Sequence, residues 1–576
     1  MKSSPILTRV FRSQYLRRFL PVVVNRYSIF LLGLYLYALA IDYHGGISAT
    51  LFFTHWIELF FVIYFYAYFY TILKPGYWRS LIAALPIVAS YFIHDLFYLV
   101  YGKIFRLINV LELPELLQVI PFGYGVILSV FVVLPIIVFL SAISYLNLRA
   151  IFLGVLPFSI FAALIIISPN TYIHFINMAS NGIVEWSDAE SVESNGRYTM
   201  LFYREAERLN AISMTGLYRN RADYERHIEV KAEKIRQNSH QRNVHLIVLE
   251  SFLDPRLFSR VKFSKDPVAP EFNKLFGERL GLSISPVFGG ETAQAEFEVL
   301  CGVPALAKLS SMEFNVFSGA PVYCLPGMLD KLGYRTLVTN AYKPNYFNSL
   351  TAYKGIGFGE IYFPREYSAA MKTYFSLGNV DEEYYMFDGT LFDQNLAFVA
   401  RSLKKNRDTP LFNYIMTSYG HAPHDIDIAQ RPELIHVESE YVDIDLQHST
   451  NQFFYRTQAI ANYVNELIKL DKNSIIILVS DHLPPLSDGP TSYQELGYLD
   501  DRKNSHFYNR LMIIENGTLV VYNNMRHFYM PDLIYNYITG GSFCRQESCA
   551  FLGNNPAQDQ KSLVDQYYKL MAHASK

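Results

Sequence analysis

The apolar positions change their spacing twice along the chain. Five runs in the first third are almost wholly apolar: residues 27–41, 51–73, 80–100, 122–145 and 150–167. A run of about 20 apolar residues predicts a membrane-spanning helix, so residues 1–170 are expected to form a five-span membrane domain. The first run is short, and Pro21 to Val24 lengthen it. It also begins too late for a cleavable signal peptide, and four further runs follow. Residues 171–242 are charged, as in Arg204-Glu205-Ala206-Glu207-Arg208, and predict a helical linker. From Asn243 the pattern becomes short runs of β-formers: Val244–Leu249, 335–339, Leu411–Met416 and 474–479. Helical patterns such as 455–470 lie between them. Strands alternating with helices predict a mainly parallel sheet. Unbroken apolar strands predict that both faces are covered. Residues 243–576 are therefore expected to be an α/β domain.

Positive charge orients the membrane part. Lys2, Arg9, Arg12, Arg17, Arg18 and Arg26 precede the first run, Lys74 and Arg79 separate the second from the third, and Arg149 precedes the fifth. These belong on the cytoplasmic side. The opposite connections are poorer in charge: His44-Gly45-Gly46 has none, and the third-to-fourth connection has Lys103 and Arg106. An odd number of spans puts everything after about Pro169 outside. Within the third-to-fourth connection, residues 104–113 have the spacing of a short amphipathic helix along the outer surface. His55, Glu58, His94 and Asp95 fall near the outer ends of spans two and three. Ionisable groups at that depth face protein or water. They form either a paired cluster that holds helices together or an approach site for a lipid headgroup.

Composition narrows the partners. The formal net charge is -2, so there is no global basic field and nucleic acid is excluded as a partner. The cysteines are Cys301, Cys324, Cys544 and Cys549, with no CxxC pair, which speaks against a thiolate zinc site. Cys544 and Cys549 either close a small disulfide loop, permitted outside the cytoplasm, or remain two thiols.

The chemistry gathers at strand ends. Val244–Leu249 ends on Glu250, Leu411–Met416 runs into Thr417-Ser418-Tyr419-Gly420-His421, and the 474–479 strand ends on Ser480-Asp481-His482. Sites of such sheets lie outside the carboxyl ends of the strands. Glu250, His421, Asp481 and His482 are thus expected along one edge. Gly289-Gly290-Glu291-Thr292 adds a tight turn followed by a helical pattern, which puts Thr292 at a helix start where exposed N–H groups favour phosphate. On spacing alone Thr292 is either a helix N-cap or a nucleophile that needs a metal or base to activate it.

Taken together, these motifs resemble a known group. Leu249-Glu250-Ser251-Phe252, Gly290-Glu291-Thr292-Ala293 with Glu296-Phe297-Glu298, Gly420-His421-Ala422-Pro423 and Ser480-Asp481-His482-Leu483-Pro484, in this order after five spans, resemble the sulfatase-like membrane phosphotransferases of the alkaline-phosphatase superfamily. These are the lipoteichoic acid synthases, the phosphoglycerol transferases of periplasmic glucans and the lipid A phosphoethanolamine transferases. The resemblance implies one divalent metal, Mn²⁺ or Zn²⁺, held by Glu250, Thr292, Asp481 and His482. It also implies Thr292 as nucleophile and His421 as a phosphate contact or proton donor. The donor would be phosphatidylglycerol or phosphatidylethanolamine and the acceptor an envelope glycan or lipid. The place would be a bacterial inner membrane, with the catalytic domain facing the periplasm or exterior. Asn340, Lys343, Phe347, Asn348 and His506 are the candidate substrate contacts, with Ser349 standing where lipoteichoic acid synthases have an arginine. A formylglycine sulfatase motif, Cys/Ser-x-Pro-x-Arg, is not matched by Cys301-Gly302-Val303-Pro304-Ala305. Phosphoglycerol is favoured over phosphoethanolamine. The remaining alternatives are a sulfatase-like hydrolase, a non-catalytic headgroup sensor and a structural scaffold.

Overall fold

A computed structural model of the protein describes residues 25–43, 56–101, 104–110, 122–145, 148–180, 183, 188–277, 281–381, 383–522, 524–547, 549–552 and 560–576. The chain divides into two compact units, Met1–Asn210 and Ala211–Lys576. The division falls inside the helix Arg197–Thr215, within the stretch expected to be linker.

The first unit is helical. Among the described residues, three helices are long and apolar enough to cross a membrane: Arg79–Tyr98, Gly125–Ala142 and Leu148–Ile167. Two shorter apolar helices, Arg26–Ile41 and Trp56–Ile72, accompany them. The five expected spans are therefore three full-length candidates and two short ones. At about 1.5 Å per residue, the 17 residues of Trp56–Ile72 rise only about 25 Å. That is less than the roughly 30 Å hydrocarbon core. Residues 51–55 of the expected second span, His55 included, lie outside the described residues, as do 111–113 of the expected amphipathic helix. Phe152, Leu156, Ile160 and Leu164 form an exposed apolar stripe on Leu148–Ile167, as a lipid-facing helix requires.

The buried carboxylates Glu58 and Asp95 of this unit are both paired. Glu58 accepts from the backbone N–H groups of Tyr198 (3.1 Å) and Thr199 (2.9 Å) and from Tyr91 Oη. It thereby satisfies orphan donors at the start of Arg197–Thr215. Arg197 Nε and Nη2 both donate to Asp95 Oδ1, at 2.9 and 2.6 Å. His94 Nδ1 lies 2.8 Å from the Ser90 carbonyl.

The second unit is built on a nine-stranded sheet. Its strands are β1 (Val244–Leu249), β2 (Leu282–Ile284), β3 (Arg335–Asn340), β4 (Glu360–Tyr362), β5 (Leu411–Met416), β6 (Ile475–Ser480), β7 (Tyr508–Glu515), β8 (Thr518–Val520) and β9 (Met525–Arg526). The order is β9-β2-β7-β6-β1-β5-β3-β4, with β8 paired to β7. From β6 to β4 the pairs are parallel. β7 runs antiparallel to β6, β2 and β8. The sheet is thus mixed: parallel from β6 to β4, where the strand-end chemistry lies, antiparallel around β7, and parallel again where β9 joins β2 at the far edge.

The central strands β1, β5 and β6 are buried at every position. Successive side chains enter opposite cores, as the two-residue period of a strand demands. Leu246, Val248, Tyr414 and Ile477 pack on one face; Ile247, Leu249, Ile415 and Leu478 pack on the other. This two-sided burial fixes the register, so the polar residues just past each strand arrive at one common edge.

Candidate metal and nucleophile site

Three chain segments meet at that edge. β1 hands on to Glu250, β6 to Asp481 and His482, and a loop to the helix Thr292–Cys301. The Asp481 N–H donates to the Leu249 carbonyl (3.2 Å), and the Ser251 N–H donates to Asp481 Oδ1 (2.8 Å). The two strand ends are therefore laced together just where they leave the sheet. Gly420, before His421, packs against this junction. A Cβ there would stand 2.0 Å from the Glu250 carbonyl oxygen and 2.2 Å from Arg456 Nη1, which explains the glycine of the Gly-His pair.

Thr292 is the first helical residue, and Glu291 holds the N-cap position at φ 64° with no side-chain cap bond. The N-cap alternative for Thr292 is thereby decided. Its hydroxyl donates to Glu250 Oε2 at 3.1 Å and lies 3.3 Å from His482 Nε2. His482 Nδ1 lies 3.1 Å from the Leu483 carbonyl. A carbonyl can only accept, so Nδ1 carries the hydrogen and Nε2 turns its lone pair into the cluster. Nε2 is 3.4 Å from Asp481 Oδ2 and 3.7 Å from Glu250 Oε1.

Ligand atoms of Glu250, Asp481 and His482 all lie within 4.8 Å of one another, and all three residues are buried. Asp481 Oδ2 is buried without a hydrogen-bond partner. Burial and the charge of Glu250 drive the Asp481 carboxyl well above the usual range. Burial also acts to raise Glu250, and hydrogen bonds from Ser251 and Tyr342 act against it. Two buried carboxylates facing one imidazole lone pair, one oxygen orphaned, make a donor set that fits a divalent cation.

Sequence reasoning missed part of this site. Tyr342 donates to Glu250 Oε2 at 2.8 Å, and Ser251 Oγ donates to Glu250 Oε1 at 2.8 Å. The Tyr342 ring lies 6.4 Å from the ring of His421 and 6.1 Å from that of Tyr385, which packs 4.8 Å from His421. His421 Nδ1 is 2.8 Å from the Ala422 carbonyl. Its Nε2 is therefore the nitrogen left to exchange a proton.

The remaining predicted residues are placed differently. Asn340 is buried; its amide donates to Tyr353 Oη at 2.6 Å and accepts from the Tyr342 N–H at 2.8 Å. Asn348 donates to the carbonyls of Phe314 and Phe317 at 2.8 and 2.9 Å. Both amides bond within the fold, and Asn340 acts on the site by seating Tyr342. Phe347 is buried, and Lys343 is exposed with its ammonium 5.6 Å from the Tyr367 ring. His506 packs 4.9 Å from Phe288, beside the Gly289-Gly290 turn, and burial pushes it down to about 4.

All four cysteines are paired, Cys301 with Cys324 and Cys544 with Cys549. The first pair ties the end of the Thr292 helix to the residue before the helix Leu325–Lys331.

Residues 242–525 match the Sulfatase family model, and this part of the chain belongs to that family. A protein of Rhizobium meliloti (strain 1021) named for cyclic beta-1,2-glucan modification is 26% identical over 264 residues, covering 45% of this chain and 37% of that protein. The chain spans less than half the length of the curated relatives it matches. Among solved structures, the Streptococcus pyogenes phosphoglycerol transferase GacH, in complex with sn-glycerol-1-phosphate, aligns at TM-score 0.44 and 18% identity. That alignment covers 63% of this chain and 91% of the other. The lipoteichoic acid synthase LtaP of Listeria monocytogenes aligns at TM-score 0.40 and 15% identity, covering 54% and 77%.

Proposed function

We propose that the protein is a membrane-held phosphotransferase that moves a phosphoglycerol group from a phospholipid to an envelope glycan or lipid through Thr292. The observation that carries the proposal is the Thr292 hydroxyl at a helix start, within hydrogen-bond reach of Glu250 and His482. Candidate spans in the same chain give it a bilayer to draw from. Two disulfides in the second unit, and the charge bias of the short loops, support an extracytoplasmic active site. Reporter fusions placed after Asp188 test that orientation; a cytoplasmic result would remove access to the outer leaflet.

In this reading the Thr292 hydroxyl passes its proton to Glu250, which it already faces, as Oγ attacks the phosphorus of the headgroup phosphodiester, and the bond to the diacylglycerol oxygen breaks. His421 gives the departing oxygen a proton from Nε2. An acceptor hydroxyl then attacks the phosphothreonine and passes its proton to His421, the bond from phosphorus to Thr292 Oγ breaks, and Glu250 returns the proton to Thr292. Glu250, Asp481, His482 and Thr292 would hold a divalent ion, Mn²⁺ or Zn²⁺, whose charge favours the threonine alkoxide and the phosphoryl oxygens. Tyr342 fixes the Glu250 carboxylate that faces Thr292. Lys343 is the exposed cation of the loop beside Tyr342 and is assigned to the incoming phosphate.

Phosphoglycerol is favoured because Glu296, a carboxylate that could meet an ammonium, is withdrawn. It is buried and accepts from Tyr353 and Tyr414 Oη, each at 2.6 Å. Phosphoethanolamine is the second reading, favoured by the Tyr342, Tyr385 and His421 ring cluster, an aromatic face of the kind that binds cations. Purified full-length protein incubated with labelled phosphatidylglycerol or phosphatidylethanolamine separates the two. Diacylglycerol is expected from phosphatidylglycerol; release from phosphatidylethanolamine alone would overturn the choice.

A further inference from the structure

A cavity of about 600 Å³ is lined by residues from the start of β3, from β4 and from the helix Asp388–Lys405. Arg335, at one end of β3, borders it; Asn340, at the other end, seats Tyr342 of the catalytic edge. Five residue steps at about 3.3 Å separate them, roughly 16 Å. The cavity is therefore a separate place from the Thr292 site.

Its wall is aromatic and rigid. Tyr374 and Phe398 stack with ring centroids 4.2 Å apart, and Tyr362 meets them edge-on at 5.1 and 5.4 Å. Tyr374 Oη is pinned by Thr339 Oγ1 at 2.7 Å and by the amide of Asn395 at 2.9 Å. Its rim is cationic. Arg335, Lys372, Arg401 and Lys405 face one carboxylate, Glu360. Glu360 is already engaged by Arg335, at 2.8 Å from Nη2, and by Tyr362. Phe398, Arg401 and Lys405 follow one another at helical spacings of three and four, so one helix face presents a ring and two cations. Arg401 and Lys405 are exposed and carry no ion pair among the described residues.

We infer that this cavity is a second binding site, for an anionic oligosaccharide. Its volume lies in the range of small-ligand pockets, about 300–1,000 Å³, which is far more than a lone phosphate occupies. Aromatic faces accommodate the apolar faces of sugar rings, while guanidinium and ammonium groups bind phosphate or carboxylate substituents. A bilayer surface would need a convex basic patch, whereas these cations surround a concavity with an aromatic wall. The ligand class follows from the cavity alone and does not depend on the chemistry at Thr292. Such a site would retain a charged glycan on the enzyme between encounters with the reactive edge.

The test is calorimetric binding to the full-length protein in detergent micelles without lipid donor. The probes are a phosphoglycerol-substituted β-1,2-glucan oligosaccharide, its unsubstituted parent, sn-glycerol phosphate, and phosphatidylglycerol vesicles. The substituted glucan is expected to bind most tightly, and more weakly at higher ionic strength. Arg401→Glu with Lys405→Glu is expected to weaken it about tenfold or more while diacylglycerol release from the donor is unchanged. Both side chains are exposed, so the thermal midpoint should hold; Arg401→Gln with Lys405→Gln is the milder pair if it does not. Unchanged affinity in either pair would overturn the proposal. So would glycerol phosphate binding as tightly as the glucan, or vesicles competing it away. Because binding is read without turnover, an inactive enzyme would not obscure the result.

Discussion

The Thr292 hydroxyl donates to Glu250 Oε2 across 3.1 Å, joining the start of one helix to the end of the central strand β1. A threonine that merely capped its helix would turn its oxygen toward the backbone N–H groups of its own first turn. Thr292→Ala should therefore abolish headgroup transfer, by at least about a thousandfold, with a stability loss of only about 1 kcal/mol for one hydrogen bond. Diacylglycerol release and a thermal scan on the same preparation check it. Activity above a few per cent of wild type would remove Thr292 from the nucleophile role.

Asp481 presents a buried oxygen with no partner. A cation bound there stabilises the folded state by mass action. Chelation should therefore lower the thermal midpoint of the wild type, and added Mn²⁺ or Zn²⁺ should restore it. Asp481→Asn should lose the metal and become insensitive to chelator. Elemental analysis should give about one ion per wild-type chain; equal content in the variant would refute the site.

Tyr342 contributes one phenolic hydrogen bond to Glu250, at 2.8 Å. Tyr342→Phe keeps the ring packing and removes that bond. A positioning role predicts a fall in kcat of about tenfold, as for one charge-assisted hydrogen bond, with little change in KM. A change confined to KM would make Tyr342 a substrate contact instead.

The ends of β1, β5 and β6 were legible because a strand buried on both faces has nowhere to hide its β-formers, and the polar residues that follow each run stand at the common edge. The antiparallel half was not. β7 begins with the polar residues Tyr508, Asn509 and Arg510, which obscure the apolar run that follows. Tyr342 was missed because a loop tyrosine has no periodic signal; only folding brings it to Glu250, 92 residues away in sequence. Asn340 and Asn348 could not be sorted for the same reason, since an asparagine in a sequence looks alike whether its amide faces a ligand or a carbonyl. The Cys301–Cys324 pair spans 23 residues, too far for local spacing to suggest it.

Glu298, on the Thr292 helix, is buried and accepts from the Ala305 N–H at 3.0 Å. Burial raises its carboxyl from 4.5 to about 8. The unfolded chain gives up this proton first as pH rises, so the folded state loses stability between about pH 4.5 and 8 and the loss levels off above that. Within that window the slope from one such group is at most about 1.4 kcal/mol per pH unit. Glu298→Gln cannot titrate, so its thermal midpoint should fall less steeply over the window. Parallel curves for the two proteins would show that Glu298 does not titrate across the transition.

Gly196 sits at φ 92°, immediately before the helix Arg197–Thr215. A Cβ on it would lie 2.4 to 2.5 Å from the Cγ, Cβ and Cδ of Glu58. Glu58 cannot move aside, because it holds the Tyr198 and Thr199 N–H groups at 3.1 and 2.9 Å and the Thr199 hydroxyl at 3.1 Å. Gly196→Ala thus combines an unfavourable left-handed backbone with a collision against a fully committed side chain. Each costs about 1–3 kcal/mol. Glu58→Ala removes the clash partner but strands the same donors, at about 1–3 kcal/mol for each buried group left unsatisfied. Both single variants should lower the thermal midpoint of the full-length protein. In the double variant Gly196→Ala should cost much less than in the wild-type background, because only the backbone term survives. Additive effects would mean that Gly196 and Glu58 do not meet, and that the start of this helix is held by something else.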